Sequence, residues 1–249
     1  MNRTILALVA ATSCLVHADQ PVVCIDPGHP SEVGRGTTGR RISEMALVWR
    51  VARRLADRLR TDGYRVVLTK SRVDQFVTNR RRAEIANKAR ANLMLRLHCD
   101  ASSGSGFTVY YPDRQGLSLG VRGPAPEVLA SSRKAALAFH GALEKNTRGV
   151  FRDNGLQPDA KTAVGSKQGA LTGSVFSKVP VVLVEMCVLT NPKDEALMLS
   201  ERGMNAMVGA LAAAVRAAAG LRSTPQESPG ALPSHRPTRA GLVIQTTTL

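Results

Sequence analysis

Three short apolar runs in this 249-residue chain each stop at an ionisable side chain. Val22-Val23-Cys24-Ile25 leads into Asp26-Pro27-Gly28-His29, Leu93-Met94-Leu95-Arg96-Leu97 into His98-Cys99-Asp100, and Val181-Val182-Leu183-Val184 into Glu185. Short apolar runs rich in β-branched residues read as buried strands, and Pro27-Gly28 breaks the first of them just where His29 must be presented. Parallel strands finish on one edge of a sheet, and that edge is where open α/β sheets bind ligands. Two imidazoles and a carboxylate are a common ligand set for catalytic zinc, with one position left open for water. A charge at the end of a buried strand is costly unless a metal or a partner compensates it. The third ligand could be Glu185 itself or Glu44, at the start of the first helix. Plainer readings stand beside these. Glu44 could be an acid favoured by the helix dipole, Glu185 an ion-pair partner for one of many arginines, and a histidine near a turn merely structural. His17, His140 and His235 read as non-ligands, Asp26 as a residue that fixes a loop, and Arg82 as a structural ion-pair donor.

The elements needed to position these groups follow from periodicity. After the first strand comes a loop over 30–42 punctuated by Gly34, Gly36 and Gly39. Ser43 can cap the following helix, whose Met45, Val48, Ala52, Leu55 and Leu59 fall on one face before Gly63. A strand over 64–69 completes a βαβ unit, for which parallel pairing is the default. A helix at about 79–91 precedes the strand over 93–97, and a further strand is expected over 107–111. Residues 112–127 read as a Gly- and Pro-rich loop and about 128–147 as a helix. Residues 148–179 carry scattered glycine and one expected short strand near 163–164. The strand over 181–184 and a last helix at about 204–219 finish the pattern. The expected fold is α/β, a single domain with a mostly parallel twisted sheet of about six strands flanked by helices on both faces.

Bulk properties narrow the setting. A hydrophobic content of 43% suffices for one sizeable core. Residues 1–18 read as a signal peptide: Arg3 supplies a positive start, an apolar centre too short to span a bilayer follows, and Val16-His17-Ala18 offers a cleavage site. Lipid processing at Cys14 is the weaker alternative, because Ala11-Thr12-Ser13 precedes it poorly. Residues 19–221 form the expected catalytic domain, and 222–249, rich in Ser, Thr, Pro and Gln, a flexible tail. The net charge of +15 falls to +14 when Arg3, the sole charged residue before Asp19, is removed. An exported protein this basic is drawn to polyanions such as anionic cell-wall polymers. With 4% aromatic residues and no aromatic-basic run, specific nucleic-acid binding is disfavoured. Cys24, Cys99 and Cys187 remain after cleavage, with no Cys-x-x-Cys spacing and so no zinc knuckle.

In order and spacing, the segments Ile25-Asp26-Pro27-Gly28-His29, the glycine loop leading to Glu44, Thr69 with Asp74, Arg82 with Ala86-Asn87, Leu97-His98, and Val184-Glu185 before Leu189-Thr190-Asn191-Pro192 are distinctive. The chain from about 21 to 218 resembles the zinc-dependent N-acetylmuramoyl-L-alanine amidases of the bacterial cell wall, of the amidase-3 type. That resemblance implies Zn2+ held by His29, Glu44 and His98, with Glu185 as the catalytic carboxylate. It also implies a peptidoglycan substrate, a periplasmic or cell-envelope location, and hydrolysis of the amide between N-acetylmuramic acid and L-alanine. The loop over 30–42 and the segment around 148–175 would shape a groove for the glycan-peptide. A monomer without a transmembrane segment is expected. The alternatives are a non-catalytic wall-binding or amidase-regulating module with the same fold, and a basic nucleic-acid-binding protein.

The chain also departs from the family pattern. Pro30 stands where glycine is usual, Arg96 where serine is common, Cys99-Asp100 in place of a frequent Ala-Asn, and Cys187 where glycine is usual. A Cys99–Cys187 bridge and a pair of buried free thiols are both open readings at this point.

Overall fold

The apolar runs become the strands of one central sheet in the computed structural model, which describes residues 20–220. The signal peptide, the tail, Cys14, His17 and His235 lie outside the described residues. The strands are β1 (Val22–Pro27), β2 (Arg65–Leu68), β3 (Leu93–Asp100), β4 (Phe107–Tyr111), the short pair β5 (Gly116–Ser118) and β6 (Val121–Gly123), β7 (Asp153–Pro158) and β8 (Val181–Val188). Six of them pair in the order β2-β1-β3-β8-β4-β7. The β2, β1, β3 and β8 strands run parallel, as βαβ connections require. β4 pairs antiparallel to β8, and β7 follows β4. The sheet is therefore mostly parallel, with one reversal on the side beyond β8.

Side-chain alternation sorts the two faces. Leu93, Leu95 and Leu97 of β3 and Val182 and Val184 of β8 enter the main core, together with Val23 and Ile25 of β1. This face is covered by α1 (Glu44–Thr61), α3 (Pro126–Thr147) and α7 (Glu201–Ala219), with α6 (Pro192–Leu199) at its end. Leu47, Val48, Val51, Leu55 and Leu59 of α1 are fully buried, each side chain contributing about 1.5–3 kcal/mol. Ser43 caps α1 as its sequence position predicts, accepting from the Ala46 N–H. The opposite face carries α2 (Asn79–Lys88) over a smaller cluster of Val22, Cys24, Met94 and Val181. Because side chains alternate along a strand, Arg96 and His98 of β3 and Glu185 of β8 stand on this second face, away from the main core. No helix among the described residues is long and apolar enough to cross a membrane.

Four expectations need correction. No strand forms near 163–164; that stretch joins a 3-10 turn (Asp159–Lys161) to the short helix α4 (Gly165–Gln168), and the strand of the region is β7. The 112–127 loop contains the β5–β6 hairpin and the first residues of α3. The second helix stops at Lys88, with Ala89 as its C-cap and Arg90 at a positive φ of 50°. The last helix begins earlier than expected, at Glu201, because Ser200 caps it by accepting from the Gly203 N–H. Of the two readings left open for Cys99 and Cys187, the structure has the free thiols: with Cys24 they are unbridged and buried, and both line the main core behind the sheet.

Candidate metal centre

Parallel packing of β1, β3 and β8 brings the three predicted strand ends together. His98 and Glu185 are direct register partners on neighbouring strands. His29 follows β1 by two residues and adopts a positive φ of 51°, turning its ring toward His98 at a centroid separation of 5.0 Å. Glu44 arrives from a separate element, the first turn of α1. Its Oε1 lies 3.0 Å from His98 Nδ1 and 3.5 Å from His29 Nε2. One donor atom from each of His29, Glu44 and His98 lies within 4.8 Å of the others. Glu185 is outside this trio and keeps a buried Oε2 with no hydrogen-bond partner.

The surroundings orient the donors. His29 Nδ1 meets the Gly34 carbonyl at 3.1 Å, which leaves Nε2 facing Glu44. Glu44 Oε2 accepts from the Thr37 N–H at 2.9 Å and Oε1 from the Cys99 N–H at 3.1 Å. Glycines make room for the trio. A Cβ on Gly28 would collide with the His98 ring, and one on Gly36 would lie 2.5 Å from Glu44 Oε2 and 2.7 Å from His29 Cδ2. His98 Nε2 is buried without a partner. Two imidazoles and a carboxylate that converge with an orphaned ring nitrogen, in a cradle kept open by glycine, fit a divalent cation of the zinc type.

Electrostatics agree with that fit. Burial lowers the His29 pKa and the charge of His98 adds to it, favouring the neutral, ligating ring. Burial alone would raise Glu44, but the His98 hydrogen bond and the charges of both histidines outweigh it and hold the carboxyl below its usual value. Glu185 goes the other way: burial pushes it well above the carboxylate range, the Glu44 and Asp100 charges add, and Arg96 opposes.

Behind the trio lies a buried ionic brace. Asp26 accepts from Thr69 Oγ1 at 2.5 Å, Arg82 Nη1 at 2.6 Å and Arg96 Nε at 2.9 Å. Burial opposes ionisation of Asp26, but the two guanidinium charges prevail and hold its carboxyl far below the ordinary value. Arg82 also donates to the carbonyls of Pro27, Pro30 and Val77, and Lys70 to those of Gly28, His29 and Val73. These cations pin the corner that presents His29, so Asp26 and Arg82 have the bracing roles their sequence context suggests. Sequence reasoning missed Glu195. This buried acid of α6 accepts from the Arg41 and Ile42 N–H groups at 2.6 and 3.2 Å and ties down the loop that enters α1. The helix start at Asn191-Pro192 was a usable signal for α6. A cavity of about 390 Å³ opens beside the trio, lined by His29, His98, Glu185 and Arg96 and walled by Lys161 to Val164.

Comparison with known proteins places the chain among cell-wall amidases. A family model described as N-acetylmuramoyl-L-alanine amidase matches residues 23–217. An N-acetylmuramoyl-L-alanine amidase of Mycobacterium tuberculosis is 27% identical, over 82% of this chain and 87% of its own length. The amidase AmiC of Neisseria meningitidis is 26% identical over 73% of this chain, which spans about half (49%) of that relative. Among solved structures, the N-acetylmuramyl-L-alanine amidase of Mycobacterium smegmatis superposes with a TM-score of 0.65 at 21% identity, covering 81% of this chain and 98% of that one. At that identity the likeness speaks for the fold alone. The family match runs from within β1 to within α7 and includes His29, Glu44, His98 and Glu185, and the chain therefore belongs to the N-acetylmuramoyl-L-alanine amidase family of amide hydrolases.

Proposed function

We propose that the protein is a zinc-dependent amidase that hydrolyses the bond between the lactyl group of N-acetylmuramic acid and the L-alanine of the peptidoglycan stem peptide. One observation carries this reading: donor atoms of His29, Glu44 and His98 gather within 4.8 Å, beside the unpartnered Oε2 of Glu185. His29, Glu44 and His98 would hold the ion. When bound, zinc supplies a Lewis acid that acidifies water and polarises the scissile carbonyl.

The chain supplies the proton chemistry. Glu185 Oε2 takes the proton of the attacking water and passes it to the departing amine nitrogen. It can do so because it stands next to the ligands without being one. Burial disfavours the Glu185 carboxylate, and a cation held by the neighbouring trio would offset that, so that Glu185 can act first as base and then as acid. Val33 and the stretch from Lys161 to Val164, which line the cavity, would help to confine the substrate arm.

The same reading makes residues 1–18 a signal peptide, 19–221 the catalytic unit and 222–249 a tail, with the mature protein in the periplasm or cell envelope. Its positive charge would hold it near anionic wall polymers.

The test is digestion of purified peptidoglycan sacculi with zinc-loaded protein and mass spectrometry of the soluble products. Stem peptides bearing a free N-terminal alanine are expected. They should disappear with chelator and fall about 10²- to 10⁴-fold in rate for Glu185→Gln, whose zinc content should be unchanged. Wild-type protein that releases no such peptides at any zinc concentration would leave a wall-binding module instead.

A further inference from the structure

One cation of the cavity is left unused by the chemistry above. Arg96 is only 3% exposed, yet it lines the cavity bordered by His29, His98 and Glu185. Its Nε donates to Asp26 Oδ2 at 2.9 Å and its Nη2 to Asn79 Oδ1 at 2.5 Å. Its Nη1 donates to no acceptor among the described residues, and it is not among the sealed, unpartnered atoms of the interior. One edge of the guanidinium fork is therefore open toward the cavity.

The local charge is unbalanced too. Asp26 brings one negative charge and already pairs with Arg82 at 2.6 Å, so it cannot neutralise both arginines. Asn79 is neutral, and the carboxyls of Glu185 and Asp159 feel the Arg96 charge without forming an ion pair or hydrogen bond with it. A buried cation that is only partly compensated is costly unless an anion completes it. The fork is also held in place. A Cβ on Gly173, in the short helix α5 (Thr172–Val175), would lie 2.7 Å from Nη1 and 2.8 Å from Cζ, so that only glycine lets the helix backbone rest on the guanidinium.

Position defines the ligand. Arg96 is one pleat back from His98 on the same face of β3, roughly 7 Å along the strand. That is about the span of two backbone residues, the distance from a scissile amide nitrogen to an acid group on the next residue of the peptide arm. The carboxylates of Asp100 and Glu185 line the cavity as well and repel a substrate anion, whereas Arg96 and Lys161 attract it.

We propose that Arg96, held by Asp26, Asn79 and Gly173, forms an anion subsite that selects substrates carrying a free α-carboxylate on the second residue of the peptide arm. The planar fork suits a carboxylate and rejects its carboxamide, which brings an N–H donor to a donor. This subsite rests on the amidase reading for its substrate, but its binding can be measured without catalysis.

The probes are N-acetylmuramoyl-L-alanyl-γ-D-glutamyl-L-lysine, in which the γ-carboxyl of the second residue is tied up in a peptide bond and only its α-carboxylate is free, and the α-carboxamide form of the same compound. Their binding to full-length, zinc-free protein is read by calorimetry, and their cleavage by zinc-loaded protein is read alongside. Wild-type protein should bind the acid about tenfold or more tightly than the carboxamide, the size expected of a charge-assisted hydrogen bond. Arg96→Met should bring the acid down to the carboxamide level, and Arg96→Lys should recover only part of the preference. Gly173→Ala retains the arginine while displacing it and should lose the preference too, which keeps the proposal testable if Arg96→Met fails to fold. Equal affinity of wild type for the two probes, no binding of either at millimolar concentration, or a tenfold preference surviving in a folded Arg96→Met would each overturn the subsite. Sacculus digestion that continues alongside any of these results would leave the amidase reading intact.

Discussion

Substituting Gly36 by alanine separates a cradle for the proposed metal ligands from those residues themselves. Gly36 touches the trio only through the space it leaves: a Cβ there would lie 2.5 Å from Glu44 Oε2 and 2.7 Å from His29 Cδ2. The backbone also has a φ of +79°, where an L side chain costs about 1–2 kcal/mol. Two effects are thus superimposed, general strain and displacement of two ligands, and Gly63 isolates the first. It has a φ of +90°, lies at the end of α1, and has open space where its Cβ would stand. Gly63→Ala should lose about 1 kcal/mol of stability in urea melts and bind zinc as the wild type does. Gly36→Ala should lose at least as much stability and in addition bind zinc about 10- to 100-fold more weakly, the range seen when groups that orient ligands are disturbed. That loss corresponds to about 1.4–2.7 kcal/mol, measured by competition with a chromophoric chelator. If Gly36→Ala binds zinc at wild-type affinity, or if Gly63→Ala weakens it equally, the cradle argument is wrong.

Two other positions give independent checks. Burial lifts the Asp159 carboxyl to about 6, against hydrogen bonds from Ser174 Oγ and the Leu171 N–H that partly offset it, and leaves Oδ1 unpartnered. A raised acid pKa means that the folded state holds its proton longer than the unfolded state, so this group costs stability as pH rises from about 4 to about 6. Relative to wild type, Asp159→Asn should gain on the order of 2 kcal/mol in urea melts between pH 4 and pH 7; a constant difference across that range would refute it. Glu195 anchors the loop before α1 through the Arg41 and Ile42 N–H groups, while Arg40 and Arg41 are exposed. Glu195→Gln should speed tryptic cleavage at 40 and 41 severalfold with the rest of the fold intact, as read by mass spectrometry; unchanged cleavage would remove the anchor.

What the sequence discloses about the site depends on how local each signal is. His29, His98 and Glu185 are legible because each ends an apolar run, and parallel pairing of neighbouring strands then does the rest. Glu44 is harder. An acid in a helix's first turn is favoured by the dipole whether or not it touches a metal, and only the fold brings its Oε1 to 3.0 Å from His98 Nδ1. Glu195 acts on a loop 153 residues earlier in the chain, a separation at which no spacing rule applies. β7 escapes for a different reason. Its sequence Asp153-Asn154-Gly155-Leu156-Gln157-Pro158 has no apolar alternation and includes a glycine at φ +87°, so its extended state is imposed by pairing with β4 at the sheet edge. Arg96 shows the converse. In sequence it is a departure from the serine common at that place, whereas in the fold it shares Asp26 with Arg82 and keeps one edge toward the cavity. A buried arginine costs several kcal/mol to desolvate and repays it only with full hydrogen bonding. The unfilled edge of Arg96 is therefore the point where this chain's own substrate preference, as distinct from the family's common chemistry, would be read.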